Sequence, residues 1–544
     1  MGQAREQRAR SGAFLERTPE TIFIPEQFTA EDRLMAETTE RFVREQVMPL
    51  VPRLESGEKA LMRHLLEQAA QLGLLGLDVP PEYGGLGLPK TTSALITEKT
   101  ALQPSFAVSH AVHTSVGSLP LLLFGTPEQA ERYLPRLTRG ELIGAYALTE
   151  PEAGSDALAG RTRARRAGTT YYLTGNKIWI TNAGFADLFV TFAKVEGTRF
   201  TAFLVERASP GFQVEREEHK LGLHGSSTCR IVLDEVPVPA DNRLGDEGQG
   251  AYVALYTLNL GRFKIGAAAV GLGKEAWRIG YEYAHERKQF GRPIAAFDLV
   301  WRKLAWGRMG LFVCESALYR LAGDLENAFS LPEGDPQSRW RYAAASFAAE
   351  CALIKVASTE MLHQVIDDAL QIHGGYGFSE EYPIARLYRD ARVNRIYEGT
   401  NEINRLNLVE RLLYLHRRGL WTPTAEGRAA IAVDSPSVEA TLALLRHLTG
   451  KSLTALAEWQ EPPQSLVEPL ADALIALYLL DSAFVRARIT GDPFQQAALA
   501  LYHEHVRRQL AGWQADLSPL VGMPPMPLIP QPLAPLYEAV WECR

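Results

Sequence analysis

The stretch RVNRIYEGTNEINRL, residues 392–406, sets one acid, Glu398, between Tyr397 and the pair Gly399-Thr400. Most glutamates are solvated charges on a helix face, and Glu402 in the same stretch reads that way. Gly399 changes the reading for Glu398, because a residue without Cβ lets the backbone leave a helix or admit a ligand closely. A carboxylate held at such a turn can point into a site. Burial there raises its pKa toward neutrality, a useful range for taking a proton. Three other stretches carry groups suited to binding an anion or a planar ring. TEPEAGSD (149–156) is a polar turn whose Gly154 and Ser155 can offer backbone N–H groups to an anion. ERKQFGRP (286–293) places Arg287, Lys288 and Phe290 before a glycine break, and QIHGGYGF (371–378) closes a helical run with Gly374-Gly375. Any one of these alone reads as a helix cap or tight turn. Their joint presence with YEGT, in this order around a β-rich segment, calls for a shared site.

Several elements must position these groups. The 544 residues exceed one ordinary core, so two to four domains are expected. After a charged tail over 1–25, the pattern is helical from 26 to 144. TAEDRLMAETTERFVREQVMPLV opens with a threonine cap and acids in its first turn, then repeats apolar residues at three-four spacing. PPEYGGLGLP is a break, and TTSALITEKTALQ and FAVSHAVHTSVGSLPLLLFG follow as buried helices. From 145 to 250 the texture is short β-rich runs between Gly, Asn and Pro turns, including TYYLTGNKIWITNA, LFVTFAKV, RFTAFLVE and CRIVLDEVPVP. This predicts a compact β-domain rather than alternating βα units. Long helical patterns return over 251–419, and 420–544 reads as an extra helical domain. The fold class is α+β, multidomain.

Composition narrows the function. A formal net charge of -7 offers no basic stripe for nucleic acid. Cys229, Cys314, Cys351 and Cys543 show no metal-ligand spacing and no disulfide framework, and the histidines show no metal spacing either. The N-terminal residues lack an apolar core of the secretory kind, and no run of eighteen apolar residues spans a membrane. These features suit a soluble cytoplasmic enzyme with reduced thiols. VGLGKEAW lacks the third glycine of a dinucleotide fingerprint and sits in a helical pattern, which argues against a nicotinamide-binding Rossmann domain.

Five ordered motifs, YALTEPEAGSD, NKIWITNAG, ERKQFGRPI, QIHGGYGF and RIYEGTNEI, resemble those of the acyl-CoA dehydrogenases. Those are flavoproteins of helical–β–helical architecture that desaturate acyl thioesters. The likeness runs from about 26 to 415, and the C-terminal extension with LNLGRF resembles the long- and very-long-chain branch. The resemblance implies FAD as cofactor, an acyl-CoA substrate and an electron-transfer flavoprotein as acceptor. By family pattern, Leu148 and Thr149 would meet the flavin pyrimidine edge. Gly154 and Ser155 would lie near the pyrophosphate and the coenzyme A arm, and Trp179 and Thr181 against the flavin ring. Arg287, Gln289, Phe290, Gln371, Gly374 and Gly375 would hold the adenine half of a neighbouring subunit's FAD. Thr400 would complete the flavin pocket and Arg262 would lie behind the acid.

Desaturation removes a proton from Cα and a hydride from Cβ. The bound flavin accepts the hydride, and the protein must supply the base. A thioester α-proton is too weakly acidic for an unaided carboxylate, so donors must stabilise the developing enolate. In the family these are the backbone N–H of the glutamate and a ribityl hydroxyl. Glu398 is the natural base, with Gly399 and Thr400 turning the backbone against cofactor and substrate. Some relatives carry their base beside the arginine of the NLGR helix, but that place here is Gly261, which has no side chain. Val108 and Val112, four apart on one helix face, are expected to line the acyl tunnel and to suit medium-to-long chains. The extension should pack on the protein's own core and favour a homodimer, without stable membrane insertion. The competing readings are an acyl-CoA oxidase or another flavoenzyme of this fold, and a non-catalytic assembly-factor-like relative.

Overall fold

A computed structural model describes residues 11–331, 334–421, 437–521 and 531–543. The chain forms two compact units. The first comprises Thr29–Lys264 with Ala328–Ala345, and the second Met1–Phe28, Ile265–Asn327 and Ser346–Arg544.

In the first unit, helices precede and cover a mixed sheet. The opening helix, Ala30–Phe42, starts in a capping box: Thr29 Oγ1 accepts from the Asp32 N–H at 3.1 Å and Asp32 returns a bond to the Thr29 N–H at 2.9 Å. The apolar run after Gln103 is not one helix. It divides into Pro104–Thr114 and Leu119–Phe124, because the chain turns at Gly117, where an added Cβ would fall 2.9 Å from the Val112 carbonyl. By length and hydropathy, Pro104–Phe124 is the one described stretch that could cross a membrane, against the expectation that none would. Its apolar window is 83% buried within the protein, so the core already accounts for its composition.

Eight strands follow: β1 (Gly144–Ala147), β2 (Arg163–Ala167), β3 (Thr170–Thr181), β4 (Leu188–Val195), β5 (Arg199–Glu206), β6 (Phe212–Glu217), β7 (Thr228–Pro239) and β8 (Arg243–Leu244). Their order is β6-β7-β3-β2-β4-β5-β8, with β1 beside β4. The β1–β4 and β2–β4 pairs are parallel and the rest antiparallel. β4 and β5, LFVTFAKV and RFTAFLVE, are buried along most of their length, as strands covered on both faces must be. Phe189, Phe203 and Ile231 of the sheet share one core with Leu65, Leu66 and Phe106 of the helices. Each such side chain stabilises the fold by about 1.5–3 kcal/mol on burial. His110 and His113 belong to this core: His110 Nε2 meets the Leu74 carbonyl at 2.8 Å and His113 Nδ1 accepts the Gly144 N–H at 3.0 Å. Burial pushes their pKa values down to about 4 and about 3, so both are neutral structural groups. In the same unit, buried Asp78 takes Lys90 at 2.6 Å and Lys264 at 2.7 Å. Burial alone would raise the Asp78 pKa, but the two ammonium groups outweigh it and hold the carboxyl well below its usual range.

The second unit is helical. Gly250–Glu286 enters it from Ile265 on, and Asp298–Phe329, Ala348–His373 and Asn401–Arg417 pack with it. Gly266 lets two helices approach, since an added Cβ would stand 2.4 Å from Ile354 Cγ2. The extension adds Val438–Leu456, Gln464–Thr490, Pro493–Val521 and Leu533–Glu542. Fully buried Asp481 anchors it, accepting from Arg320 at 2.9 Å, Arg446 at 2.8 Å and the Thr18 hydroxyl at 2.5 Å. The segment read as an N-terminal tail is thus fastened from residue 11 on. Phe14 and Leu15 are buried, Arg446 donates to the Phe14 carbonyl at 2.9 Å, and Glu350 accepts from Ser11 and from the Gly12 N–H.

Candidate active site

The first unit supplies two loops and a strand bulge. Chain leaving β1 passes Leu148 and Thr149, and the Ile178 N–H donates to the Thr149 carbonyl at 3.0 Å, tying the loop to β3. Beneath it lies a buried ion pair that sequence reading passed over. Lys177 Nζ meets Glu150 Oε1 at 2.7 Å and the Leu148 carbonyl at 3.1 Å. Glu150 also accepts from the backbone N–H of Arg161 and, at 3.1 Å, of Thr162. One carboxylate therefore fixes both ends of the 150–162 loop. Burial raises the Glu150 pKa, but Lys177 outweighs it and the net shift is downward. Burial draws Lys177 down to about 8. On the loop so held, Gly154 and Ser155 are exposed, and a Cβ on Gly154 would meet nothing within 4 Å. No packing reason demands that glycine, which leaves room for a ligand to approach the backbone.

β3 carries a bulge between Lys177 and Ile180, and at its crest Trp179 adopts φ +57° with 63% of its surface exposed. A tryptophan behind a strand glycine is usually core. Here a left-handed backbone, costing of order 1–3 kcal/mol, turns the indole outward as a flat stacking surface. Thr181 ends the strand. The next residue, buried Asn182 at φ +67°, donates through its amide to the Ser109 carbonyl at 2.9 Å. That bond ties β3 to the Pro104–Thr114 helix, on which Val108, Ala111 and Val112 are only half-buried while most of the helix is buried. Arg262 is buried in the long helix, donating to Asn259 Oδ1 at 2.8 Å, and Gly261 beside it is buried too.

The second unit holds the acid. Glu398 at φ +51° and Gly399 at φ +85° are successive left-handed residues, a conformation that glycine adopts freely and glutamate only under constraint. The constraint is visible. Asn404 Nδ2 donates to the Gly399 carbonyl at 2.7 Å and the Thr400 carbonyl at 3.0 Å, and buried Lys355 Nζ donates to the Gly399 carbonyl at 2.8 Å and to Asn401 Oδ1 at 2.8 Å. Thr400 caps Asn401–Arg417, its hydroxyl accepting the Ile403 N–H at 3.3 Å. The half-buried Glu398 side chain is thus aimed by the turn rather than by a helix face. Burial and the nearby Glu398 charge raise the Tyr397 phenol above its ordinary range, so it stays neutral. Lys355 and Asn404 were missed because a lysine and an asparagine within helical patterns carry no signal of what they hold.

A third group lies on the same unit. Lys288–Gln289 pairs with Arg292–Pro293 around a two-residue turn with Phe290 at φ +52° and Gly291 at φ +80°, the primed geometry of a tight hairpin. Phe290 is 93% exposed, and Arg287 and Gln289 beside it are exposed. Arg287 stands 5.5 Å from the Tyr376 ring centroid. Gln371, Gly374 and Gly375 are exposed as well, and a Cβ on either glycine would meet open space. Gly377 is different, since its Cβ would fall 2.3 Å from the Leu370 carbonyl and packing alone requires it. A bare phenylalanine, an exposed guanidinium and two glycines that packing does not need make a surface fit for a large planar anion. With the Trp179 platform and the Leu148–Thr149 backbone, the residues present fit FAD.

Among the described residues no group of three His, Cys, Asp or Glu side chains could hold a metal. Sequence comparison matches the acyl-CoA dehydrogenase N-terminal domain over residues 29–141, the middle domain over 145–236 and the C-terminal domain over 248–413. A probable acyl-CoA dehydrogenase of Bacillus subtilis is 40% identical over 500 residues, covering 88% of this chain and 84% of the relative. The very long-chain specific acyl-CoA dehydrogenase of Bos taurus mitochondria is 37% identical over 393 residues, 69% of this chain and 58% of the relative. An acyl-CoA dehydrogenase of Bacillus anthracis crystallised with FAD superposes with a TM-score of 0.90 at 37% identity, covering 98% of each chain. With three consecutive domain matches and an extended relative that superposes over nearly its whole length, this chain belongs to the acyl-CoA dehydrogenase family of FAD-dependent oxidoreductases.

Proposed function

We propose that the chain dehydrogenates medium-to-long fatty acyl-CoA thioesters to trans-2-enoyl-CoA, with Glu398 as the α-proton base. The observation that carries this reading is the Glu398–Gly399 turn: two successive left-handed residues, fixed where Asn404 and Lys355 donate to the Gly399 carbonyl, set the half-buried acid off any helix face. Bound FAD supplies the hydride acceptor. The chain does the rest. The Glu398 carboxylate accepts the Cα proton, and its backbone N–H, presented by the turn, donates to the thioester oxygen as charge develops there. Leu148, Thr149, Trp179, Thr181 and Thr400 hold the flavin ring, Gly154 and Ser155 the pyrophosphate and coenzyme A arm, and Arg262 supports the acid. An electron-transfer flavoprotein takes the electrons, and the cytoplasm, where the four free thiols stay reduced, is the setting. Purified protein should be yellow and should bleach on anaerobic addition of palmitoyl-CoA. Rapid return of the colour on admitting oxygen, as in an oxidase, or no bleaching with any acyl-CoA, would refute the reading.

Chain length is set in this proposal by the half-buried face of Val108 and Val112. Turnover from butyryl- to palmitoyl-CoA should rise toward the longer substrates, and a maximum at four carbons would contradict it. The exposed Arg287–Phe290 hairpin and Gly374-Gly375 are proposed to hold the adenine half of a partner copy's FAD, so the active form is a homodimer. Arg287→Ala should then release flavin on dilution at least about tenfold more readily than wild type, since a charged hydrogen bond contributes about 1.5–3 kcal/mol. A monomer that keeps its FAD at nanomolar concentration, as measured by fluorescence, would rule this out.

A further inference from the structure

Within the helical unit, a cavity of about 540 Å³ opens between the Asp298–Phe329 helix and the extension. That volume lies in the range of small-molecule sites, about 300–1,000 Å³. Most of its charge is spoken for. Lys274 and Arg486 both pair with Glu315, the latter at 2.6 Å, and Arg486 also meets Glu26 at 2.7 Å. Asp492 is turned to its own helix, accepting the Gln495 N–H at 2.9 Å. Arg308 is the exception. It lies 3.8 Å from the Phe494 ring centroid and gives one N–H to the Cys543 carbonyl at 2.5 Å, and among the described residues no carboxylate pairs with it at salt-bridge distance. Burial draws its pKa down, with Asp492 acting only at longer range. A half-buried guanidinium that lines a cavity, with no carboxylate at salt-bridge distance among the described residues, is a receptor for an anion. The walls beside it, Leu311, Phe312 and Phe494, are apolar.

We propose that this cavity binds a small organic monocarboxylate, its carboxylate on Arg308 and its apolar body against the wall of Leu311, Phe312 and Phe494. A single uncommitted cation balances a single negative charge. A phosphate dianion would leave one charge unbalanced beside Glu315 and Asp492, and would gain nothing from the walls. One wall, from Arg486 to Cys543, lies beyond residue 413, where the last of the three family domains ends, so the site exists only where the extension is present. A ligand there bridges the extension to the dehydrogenase core and strengthens their docking by mass action.

The test is calorimetric titration of the full-length holoenzyme with hexanoate. One equivalent should bind, and Arg308→Gln should weaken it by about tenfold or more while acyl-CoA turnover stays unchanged. Hexanamide, of the same shape without the charge, should not compete. Phe494→Ala keeps the guanidinium and removes the ring; it should weaken hexanoate while leaving acetate unaffected. Equal hexanoate binding by wild type and both variants would place the ligand elsewhere and overturn the proposal. So would displacement of hexanoate by equimolar inorganic phosphate.

Discussion

Glu398→Gln should leave a yellow protein that still binds acyl-CoA and yet fails to bleach, with flavin reduction slowed by about 10³-fold or more. General-base removal typically costs about 10²–10⁴ in rate, and no neighbouring carboxylate stands at Gly261 to replace it. The amide keeps the size of the acid, and the bonds that Asn404 and Lys355 donate to the Gly399 carbonyl hold the turn through its backbone. Binding and chemistry are therefore separable in this variant. Stopped-flow absorbance at the flavin band decides it, and wild-type bleaching in the variant would move the base elsewhere.

The second large effect is expected at Lys177→Met. Lys177 and Glu150 are both nearly fully buried, so removing the cation leaves a carboxylate with only its backbone N–H partners. Breaking such a pair costs about 3–5 kcal/mol. The damage should be local first: the 150–162 loop loosens, and FAD content falls before the helical unit melts. Adding Glu150→Gln to Lys177→Met should restore part of the loss, since it removes the stranded charge. Urea unfolding followed at the flavin and by far-ultraviolet circular dichroism separates the two. A double variant no better than the single would show that the ion pair is not the fastening.

Much of this was legible in the chain. Strand and helix alternations reveal the helical, β and helical order because each element buries one face and its period records which. YEGT and QIHGG are visible because glycine marks places where the backbone leaves the ordinary regions. What stayed hidden was long-range pairing. Nothing near Lys177 tells that its partner is Glu150, and nothing near Gly399 tells that Lys355, 44 positions earlier, will bind its carbonyl. Trp179 was assigned to the flavin by likeness alone; its left-handed φ at a bulge, the physical reason it faces outward, belongs to strand register and not to composition. The division of the Pro104–Phe124 run at Gly117 escaped for a similar cause, since the obstacle is the Val112 carbonyl and exists only once the turn has formed.

The fastening of the first described residues has a consequence for synthesis. Arg446 grips the Phe14 carbonyl across 432 positions, and Asp481 grips Thr18 from farther still. At about 5–20 residues per second on the ribosome, Phe14 waits roughly 20–90 s for its partner to be made. Over that interval Phe14 and Leu15, both later buried, are exposed to solvent and to chaperones, while Thr29–Lys264 already has the strands and helices of its own core. The nascent chain thus matures from its middle outward, and its leading end is among the last parts to settle.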